Sequence, residues 1–179
     1  NGAGLRPHAK THKSVDIAKM QIAAGAVGLC CAKLGEAEAL AEGGIQAILI
    51  TSPVVTPQAI ERLIALHNRI EGLSVVADNP DNVGVLIAAT KEANKTLPVV
   101  VDIDPGIRRT GVPSPEAAVA LAKQIAAAPS LTFAGVQFYC GAQQHIEAYA
   151  DRRAAIEERT GYLQSVLDAL PAADLKPAL

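Results

Sequence analysis

The chain has 179 residues, of which 50% are hydrophobic, and a formal net charge of -2, values that suit one globular domain with a sizeable core. This nearly balanced charge and an aromatic content of only 3% argue against proteins that bind nucleic acid or a membrane surface. The three cysteines, two of them adjacent, make a poor disulfide framework, so we expect a reducing, cytoplasmic location.

Short β-rich runs alternate with longer, alanine-rich helical runs along the chain. The predicted strands comprise residues 5–12, 27–33, 47–51, 74–78, 98–104 and 133–139. Several of them are apolar throughout, which is typical of parallel strands that are covered on both faces. Four of the predicted helices start at, or directly after, a Ser, Thr or Asn that can cap the first turn, and in three cases proline follows that residue. The predicted helices comprise residues 15–24, 56–68, 79–94, 114–128 and 146–170.

The repeated order of strand and helix predicts a parallel sheet. About six such units are too many for a small three-layer domain and too few for a closed eight-stranded barrel. We therefore predict an α/β fold that forms a partial TIM-like (β/α)8 barrel. The alternative, a doubly wound sheet, usually carries a glycine-rich turn after its first strand, and the sequence contains no G-x-G-x-x-G.

The most unusual segment, residues 6–13, carries five lysine, arginine or histidine side chains. In a strand, side chains alternate between the two faces. The four side chains expected on one face are Arg6, His8, Lys10 and His12. The two histidines would then lie about 13 Å apart, at about 3.3 Å per residue, which argues against a shared metal ion and favours structural roles for both.

Lys10 lies at the centre of this row. We expect it to be partly out of water among like charges, and both effects favour the neutral amine, which is nucleophilic. A nucleophilic amine on a barrel strand most often forms a Schiff base with a carbonyl compound. An ordinary surface lysine is the alternative interpretation.

Polar side chains follow the predicted strands, and a barrel brings the carboxyl ends of its strands together at one mouth, where barrel enzymes place their chemistry. The side chains at these strand ends are Lys10, His12, Lys33, Thr51, Ser52, Asp78, Asn79, Asp102, Asp104, Arg108, Arg109, Gln137 and Tyr139. Six polar strand ends in succession predict a polar pocket at this mouth.

Asp102 and Asp104 would share a strand face, about 7 Å apart between their Cα atoms. Paired carboxylates can catalyse glycoside hydrolysis. However, Asp104 is followed by Pro-Gly, which is typical of a turn, and the adjacent Arg108 and Arg109 would keep a carboxylate ionised. We therefore disfavour a glycosidase. An arginine in the pocket could instead hold an anionic oxygen.

Residues 5–13, with the sequence LRPHAKTHK, resemble the pyridoxal-phosphate lysine motif of the D-threonine aldolase and D-serine dehydratase family. Similar segments follow in the family's order: VGLCCAK at 27–33, ITSPVV at 50–55, DPGIRRTGV at 104–112 and GVQFYCGAQQH at 135–145. Each segment alone is a weak to moderate signal, and together they span nearly the whole chain. The resemblance implies an alanine-racemase-like barrel of fold type III.

The resemblance also implies roles for individual residues. Lys10 would hold pyridoxal 5'-phosphate through a Schiff base, and His8 would act from behind Lys10 or beside the substrate. Arg109 would donate a hydrogen bond to the phenolic oxygen of the cofactor, and Tyr139 would stand against its ring. The residues expected on the substrate side of the pocket are Gln137 and Gln143.

Members of this family continue into a β-domain that holds a divalent metal through His and Cys or Asp ligands. The resemblance therefore implies a metal outside these 179 residues, and we predict no metal ligand within them. We expect residues 1–179 to be an incomplete barrel domain of a longer enzyme, inactive when isolated and part of a homodimer in its complete form.

The activity that the resemblance implies is a lyase reaction on a small D-amino acid. An aldolase would cleave D-3-hydroxy amino acids, such as D-threonine or 3-hydroxy-D-aspartate, to glycine and an aldehyde. A dehydratase acting on D-serine or D-3-hydroxyaspartate is the nearest alternative, since it uses the same lysine. A protein that binds pyridoxal phosphate without catalysis is an alternative from another class.

Overall fold

A computed structural model describes residues 2–91 and 95–176. The strands are β1 (Leu29–Cys31), β2 (Ile48–Ile50), β3 (Ser74–Ala77), β4 (Leu97–Ile103) and β5 (Leu131–Phe138). The helices are α1 (Val15–Ala23), α2 (Leu34–Glu42), α3 (Pro57–Arg69), α4 (Pro80–Thr90), α5 (Pro115–Ala126) and α6 (Tyr149–Ala172). No helix in these ranges is both long enough and apolar enough to cross a membrane.

The five strands form one sheet in the order β1-β2-β3-β4-β5, and every neighbouring pair is parallel. Each strand therefore pairs with the next one along the chain, as in a barrel that winds in one direction. A doubly wound sheet reverses its strand order at a switch point, and this order contains no reversal. The predicted partial barrel is confirmed.

The predicted helix starts agree with the observed caps. Hydroxyl oxygens of Ser14, Thr56 and Ser114 accept hydrogen bonds from backbone N–H groups in the first turns of α1, α3 and α5. The Asn79 side chain does the same for α4, and the predicted end of that helix at residue 94 lies outside the described residues. Helix α2 was not predicted, because its N-cap is Lys33, which makes no side-chain capping bond.

The prediction of a strand over residues 5–12 is wrong. Only His8 forms a bridge, with Cys30 of β1, and the chain then enters a short 3-10 helix over Ala9–Thr11. This turn buries Ala9, which is 1% exposed, and the Ala9 carbonyl accepts hydrogen bonds from the N–H groups of His12 and Lys13. The face alternation therefore ends at His8, and the described residues form five strands rather than six.

The two faces of the sheet carry different contacts. Most buried side chains belong to a core in which the sheet packs against the helices. A second, smaller cluster consists of Val76, Val100 and Ala134, with Leu49 packed beside it. These four belong to strands alone, so they mark the face that turns away from the helices, at the interior of the partial barrel.

Candidate active site

A hydrogen-bonded group joins the carboxyl ends of three strands. Gln137 on β5 lies opposite Asp102 on β4 in the strand register, and its Nε2 donates to Asp102 Oδ1 over 2.8 Å. The same Nε2 donates to the backbone oxygen of Thr51, just after β2, over 3.2 Å. The Gln137 amide therefore reaches across the mouth of the barrel and ties β2 to β4 and β5.

Asp102 is only 3% exposed. This burial raises the pKa of its carboxyl group above the usual value, and the negative charge of Asp78 acts in the same direction. Hydrogen bonds from Gln137 and Thr110 and the positive charge of Arg109 lower it. The positive charge of Arg109 thus acts in the direction that the sequence predicts, but burial is the largest influence and the net pKa of Asp102 is raised.

Asp104 has a different environment, although it is only two residues away. Its Oδ1 accepts hydrogen bonds from the N–H groups of Gly106 and Arg108 over 2.8 and 3.0 Å. This is the turn that the Asp-Pro-Gly sequence predicts. The two carboxylates therefore serve separate structures, and they do not form the catalytic pair of a glycosidase.

The loop after β4 returns to the strand that it leaves. Backbone hydrogen bonds join Asp104 to Val112 and Val112 to Asp102, and the N–H of Gly111 donates to Asp78 Oδ2 over 2.9 Å. Gly111 has a φ of 102°, and a Cβ atom there would collide with the backbone of Asp104, so only glycine fits. These contacts hold the loop that carries Arg109.

Two cations converge on one aromatic ring. The Nζ atom of Lys10 lies 5.5 Å from the centroid of the Tyr139 ring, and Cζ of Arg109 lies 5.4 Å from the same centroid. Both distances are within the range of cation–π attraction. The Tyr139 side chain is 44% exposed, so a planar ligand could still reach it. The structure thus brings together the three residues to which the family resemblance assigns cofactor binding.

Lys10 is exposed, so the expectation of partial burial is wrong. His8 and His12, which also belong to the predicted row, form hydrogen bonds with different parts of the chain. His8 Nε2 lies 3.2 Å from Thr51 Oγ1, whereas Nδ1 of His12 accepts a hydrogen bond from the backbone N–H of Ser14. Within residues 2–91 and 95–176, no three His, Cys, Asp or Glu side chains are arranged to hold a metal ion.

Other predicted residues lie outside this group. Lys33 and Ser52 line a separate cavity of about 390 Å³ between the loops that follow β1 and β2, where most neighbours are apolar. Gln143 lies on the 3-10 helix Gly141–His145, and its Oε1 atom is buried without a hydrogen-bond partner among the described residues.

Arg159 also supports the site, and it is not among the residues predicted from the sequence. From α6 it donates from Nη1 to the backbone oxygen of Pro105 over 2.9 Å, and a Cβ atom on Gly106 would lie 2.9 Å from that nitrogen. Since 54 residues separate Arg159 from Pro105, no local pattern reveals the contact. The only available signal was the glycine in the Asp-Pro-Gly turn.

Comparison with known proteins identifies the family. The family model for the alanine racemase N-terminal domain matches residues 2–179. The chain belongs to this family. A 3-hydroxy-D-aspartate aldolase from Paracoccus denitrificans is 42% identical over 99% of the chain. A D-threonine aldolase from Arthrobacter sp. is 40% identical over 83% of it.

The fold of the family is also shared with solved structures. The crystal structure of D-threonine aldolase from Filomicrobium marinum superposes with a TM-score of 0.94 at 36% identity, over 98% of this chain and 47% of that chain. In the curated aldolase from Paracoccus denitrificans, the matching part is 46% of the protein. The chain therefore spans less than half the length of the relatives that it matches.

Proposed function

We propose that this chain is the cofactor-binding barrel of a pyridoxal-phosphate-dependent aldolase. The enzyme would cleave D-3-hydroxy amino acids, of the D-threonine or 3-hydroxy-D-aspartate type, to glycine and an aldehyde. The observation that carries the proposal is the convergence of the Lys10 amine and the Arg109 guanidinium on the Tyr139 ring, at 5.5 and 5.4 Å from its centroid.

The chemistry of these side chains suits pyridoxal phosphate. A lysine amine can bond covalently to an aldehyde, a guanidinium can donate to an anionic phenolic oxygen, and an aromatic ring can pack against a pyridine ring. The enclosed space between Asp102, Arg109 and Tyr139 is only about 10 Å³. The cofactor ring would therefore lie on the open side of the site, where Lys10 and Tyr139 are exposed.

Each residue would have a distinct task. Lys10 would hold the cofactor covalently until the amine of the substrate displaced it. Arg109 would donate to the phenolic oxygen, and Tyr139 would support the ring. When bound, pyridoxal phosphate supplies an electron sink for the carbon–carbon bond that breaks. Gln137, whose amide is fixed by Asp102 and Thr51, would form the wall of the pocket, together with Gln143.

The relatives favour aldol cleavage over dehydration. Two curated 3-hydroxy-D-aspartate aldolases from Paracoccus denitrificans share 42% and 44% identity with the chain. A D-threo-3-hydroxyaspartate dehydratase from Delftia sp. shares 30% over 97% of the chain. We therefore place the aldolase first and keep the dehydratase as the second candidate.

The decisive experiment incubates the complete protein with D-threonine and with 3-hydroxy-D-aspartate, with and without added divalent metal. Aldol cleavage yields glycine and an aldehyde, and L-threonine is the stereochemical control. Formation of a 2-oxo acid and ammonia alone would contradict the aldolase and identify a dehydratase. A protein that binds pyridoxal phosphate but converts neither substrate would be a cofactor carrier.

A further inference from the structure

His8 makes two hydrogen bonds that connect different parts of the chain. Its Nδ1 atom accepts from the backbone N–H of Lys10 over 3.3 Å, and this bond caps the 3-10 helix that presents Lys10. Its Nε2 atom lies 3.2 Å from Thr51 Oγ1, 43 residues away along the chain. The imidazole ring therefore connects the Lys10 turn to the end of β2.

These two hydrogen bonds are compatible with only one protonation state of the His8 imidazole ring. A backbone N–H only donates, so Nδ1 of His8 must be free of a proton. A neutral imidazole then carries its proton on Nε2, and Nε2 donates to the hydroxyl oxygen of Thr51. A protonated ring would place a hydrogen on Nδ1 and remove the bond that caps the Lys10 turn.

Thr51 is a fixed acceptor. Both its backbone N–H and its Oγ1 donate to the carbonyl of Cys31, over 2.8 and 3.1 Å, and its own carbonyl accepts from Gln137. The hydroxyl has one proton, and since that proton is given to Cys31, the oxygen is left to accept from His8. The position of the His8 ring is thus set by the sheet.

We propose that His8, held as the neutral Nε2–H tautomer between Thr51 and the backbone of Lys10, is a positioning residue that orients Lys10 toward the cofactor. This inference rests on the proposed function only for the identity of the cofactor. In this role His8 acts through its hydrogen bonds to Thr51 and to the backbone of Lys10.

The surroundings of His8 support the neutral ring. Partial burial lowers the pKa of His8 below its usual value, and the positive charge of Lys10 lowers it further. Glu36 on α2 acts in the opposite direction. On β1, Cys30 carries a thiol whose pKa is raised by burial, so that it adds no charge near neutral pH.

Two substitutions separate the two hydrogen bonds. His8→Asn places an amide oxygen near the position of Nδ1, and so keeps an acceptor for Lys10 while losing the bond to Thr51. His8→Gln places an amide nitrogen near the position of Nε2, and so keeps the bond to Thr51 while losing the cap. Thr51→Val removes the acceptor from the other side, and Thr51→Ser restores it.

We expect His8→Asn, His8→Gln and Thr51→Val each to weaken pyridoxal phosphate binding by the complete protein by about two- to tenfold, the usual effect of one hydrogen bond. Thr51→Ser should recover most of the loss. Thr132→Val is the matched control, because its hydroxyl bonds Thr96 at the opposite end of the sheet. Absorbance titration measures binding, and thermal unfolding verifies that each variant folds.

A second measurement does not depend on cofactor or turnover. In the cofactor-free complete protein labelled with ¹⁵N-histidine and ¹⁵N-lysine, NMR should show His8 protonated on Nε2 at neutral pH. The amide resonance of Lys10 should shift as His8 titrates. A proton on Nδ1 of His8, or a Lys10 amide resonance that does not respond to that titration, would overturn the inference. So would binding of pyridoxal phosphate with wild-type affinity by His8→Asn, His8→Gln and Thr51→Val alike. Failure of D-threonine cleavage alone would overturn only the proposed function.

Discussion

At the scale of single residues, Lys10 and Lys13 provide a matched pair. They lie three positions apart, and Lys13 is 69% exposed in an ion pair with Glu36. We expect Lys10→Ala and Lys10→Arg to abolish the visible absorbance of bound pyridoxal phosphate, because neither side chain can bond covalently to an aldehyde. Lys13→Ala should retain it. Borohydride reduction followed by peptide mass spectrometry locates the modified lysine, and a label on Lys13 would contradict the assignment of Lys10.

A second prediction at this scale concerns His67, which is 2% exposed and bonds the carbonyl of Lys95 through Nε2. Burial lowers its pKa, and the positive charge of Lys95 acts in the same direction, whereas the hydrogen bond to the Lys95 backbone and the charge of Glu71 oppose the shift without reversing it. The unfolded chain therefore binds this proton at a higher pH than the folded chain does. The contribution of His67 to stability is complete above about pH 6.5 and decreases as the pH falls through its lowered pKa.

His67→Gln is the matched variant, because its amide nitrogen can still donate to the Lys95 carbonyl but does not titrate. We expect the free energy of unfolding to fall less steeply with decreasing pH below about 6.5 in this variant than in the wild type. Urea denaturation of the complete protein at several pH values measures the difference. Equal slopes in the two proteins would show that His67 does not titrate on unfolding.

At the scale of elements, the junction before β1 depends on a glycine. The backbone of Gly28 has a φ of 154°, and a Cβ atom there would collide with the carbonyl oxygen of Ala47 and the guanidinium of Arg6. Nη1 of Arg6 donates to that same oxygen over 2.6 Å. Gly28→Ala should therefore lower the free energy of unfolding by about 1–3 kcal/mol.

Gly84→Ala provides the control for this substitution. Gly84 lies within α4, and a Cβ atom there meets no atom within 4 Å. The change should raise the stability by roughly 0.5–1 kcal/mol, because alanine favours a helix interior over glycine. Chemical denaturation of both variants tests the pair, and a Gly28→Ala protein at least as stable as the wild type would disprove the close approach.

Elements with local start signals could be predicted from the sequence. Helices α1, α3, α4 and α5 begin at a Ser, Thr or Asn cap, and each cap acts within its own first turn. Helix α2 lacks such a cap. There, the Glu36 carboxylate accepts from the N–H of Ala32, a contact that an isolated glutamate does not indicate. The strand predicted over residues 5–12 failed because the chain turns after His8 into a 3-10 helix that buries Ala9, a tertiary contact that no local pattern indicates.

The candidate site likewise has features that could be predicted from the sequence and features that could not. The polar strand ends could be predicted, because a barrel gathers them at one mouth. The contact from Gln137 to Thr51 spans 86 residues, and the contact from His8 to Thr51 spans 43. Such contacts depend on the register of the sheet and on side-chain reach, and neither is encoded in a local pattern. The expectation for Lys10 failed for the same reason, since its exposure follows from the turn after His8.

At the scale of the whole molecule, the described sheet has two open edges. Strand β5 pairs with β4 and with no other described strand, and at the other edge β1 pairs with β2 and, through single backbone contacts, with the segment before Lys10. Unpaired strand edges readily associate with other chains. The matched relatives are more than twice as long as this chain, so additional structure is available in them to cover such edges.

Residues 1–179 expressed alone should therefore associate and bind pyridoxal phosphate more weakly than the complete protein does. Leu5 and Val27, which are 70% and 52% exposed and joined by a backbone hydrogen bond, form an apolar rim beside β1. Leu5→Lys combined with Val27→Thr should reduce the association, because charge and polarity on an edge oppose pairing. Light scattering after size-exclusion chromatography measures the mass, and absorbance titration measures the cofactor affinity. A monomer with the affinity of the complete protein would contradict this prediction, because the partial barrel would then bind the cofactor unaided and its open edges would not promote association.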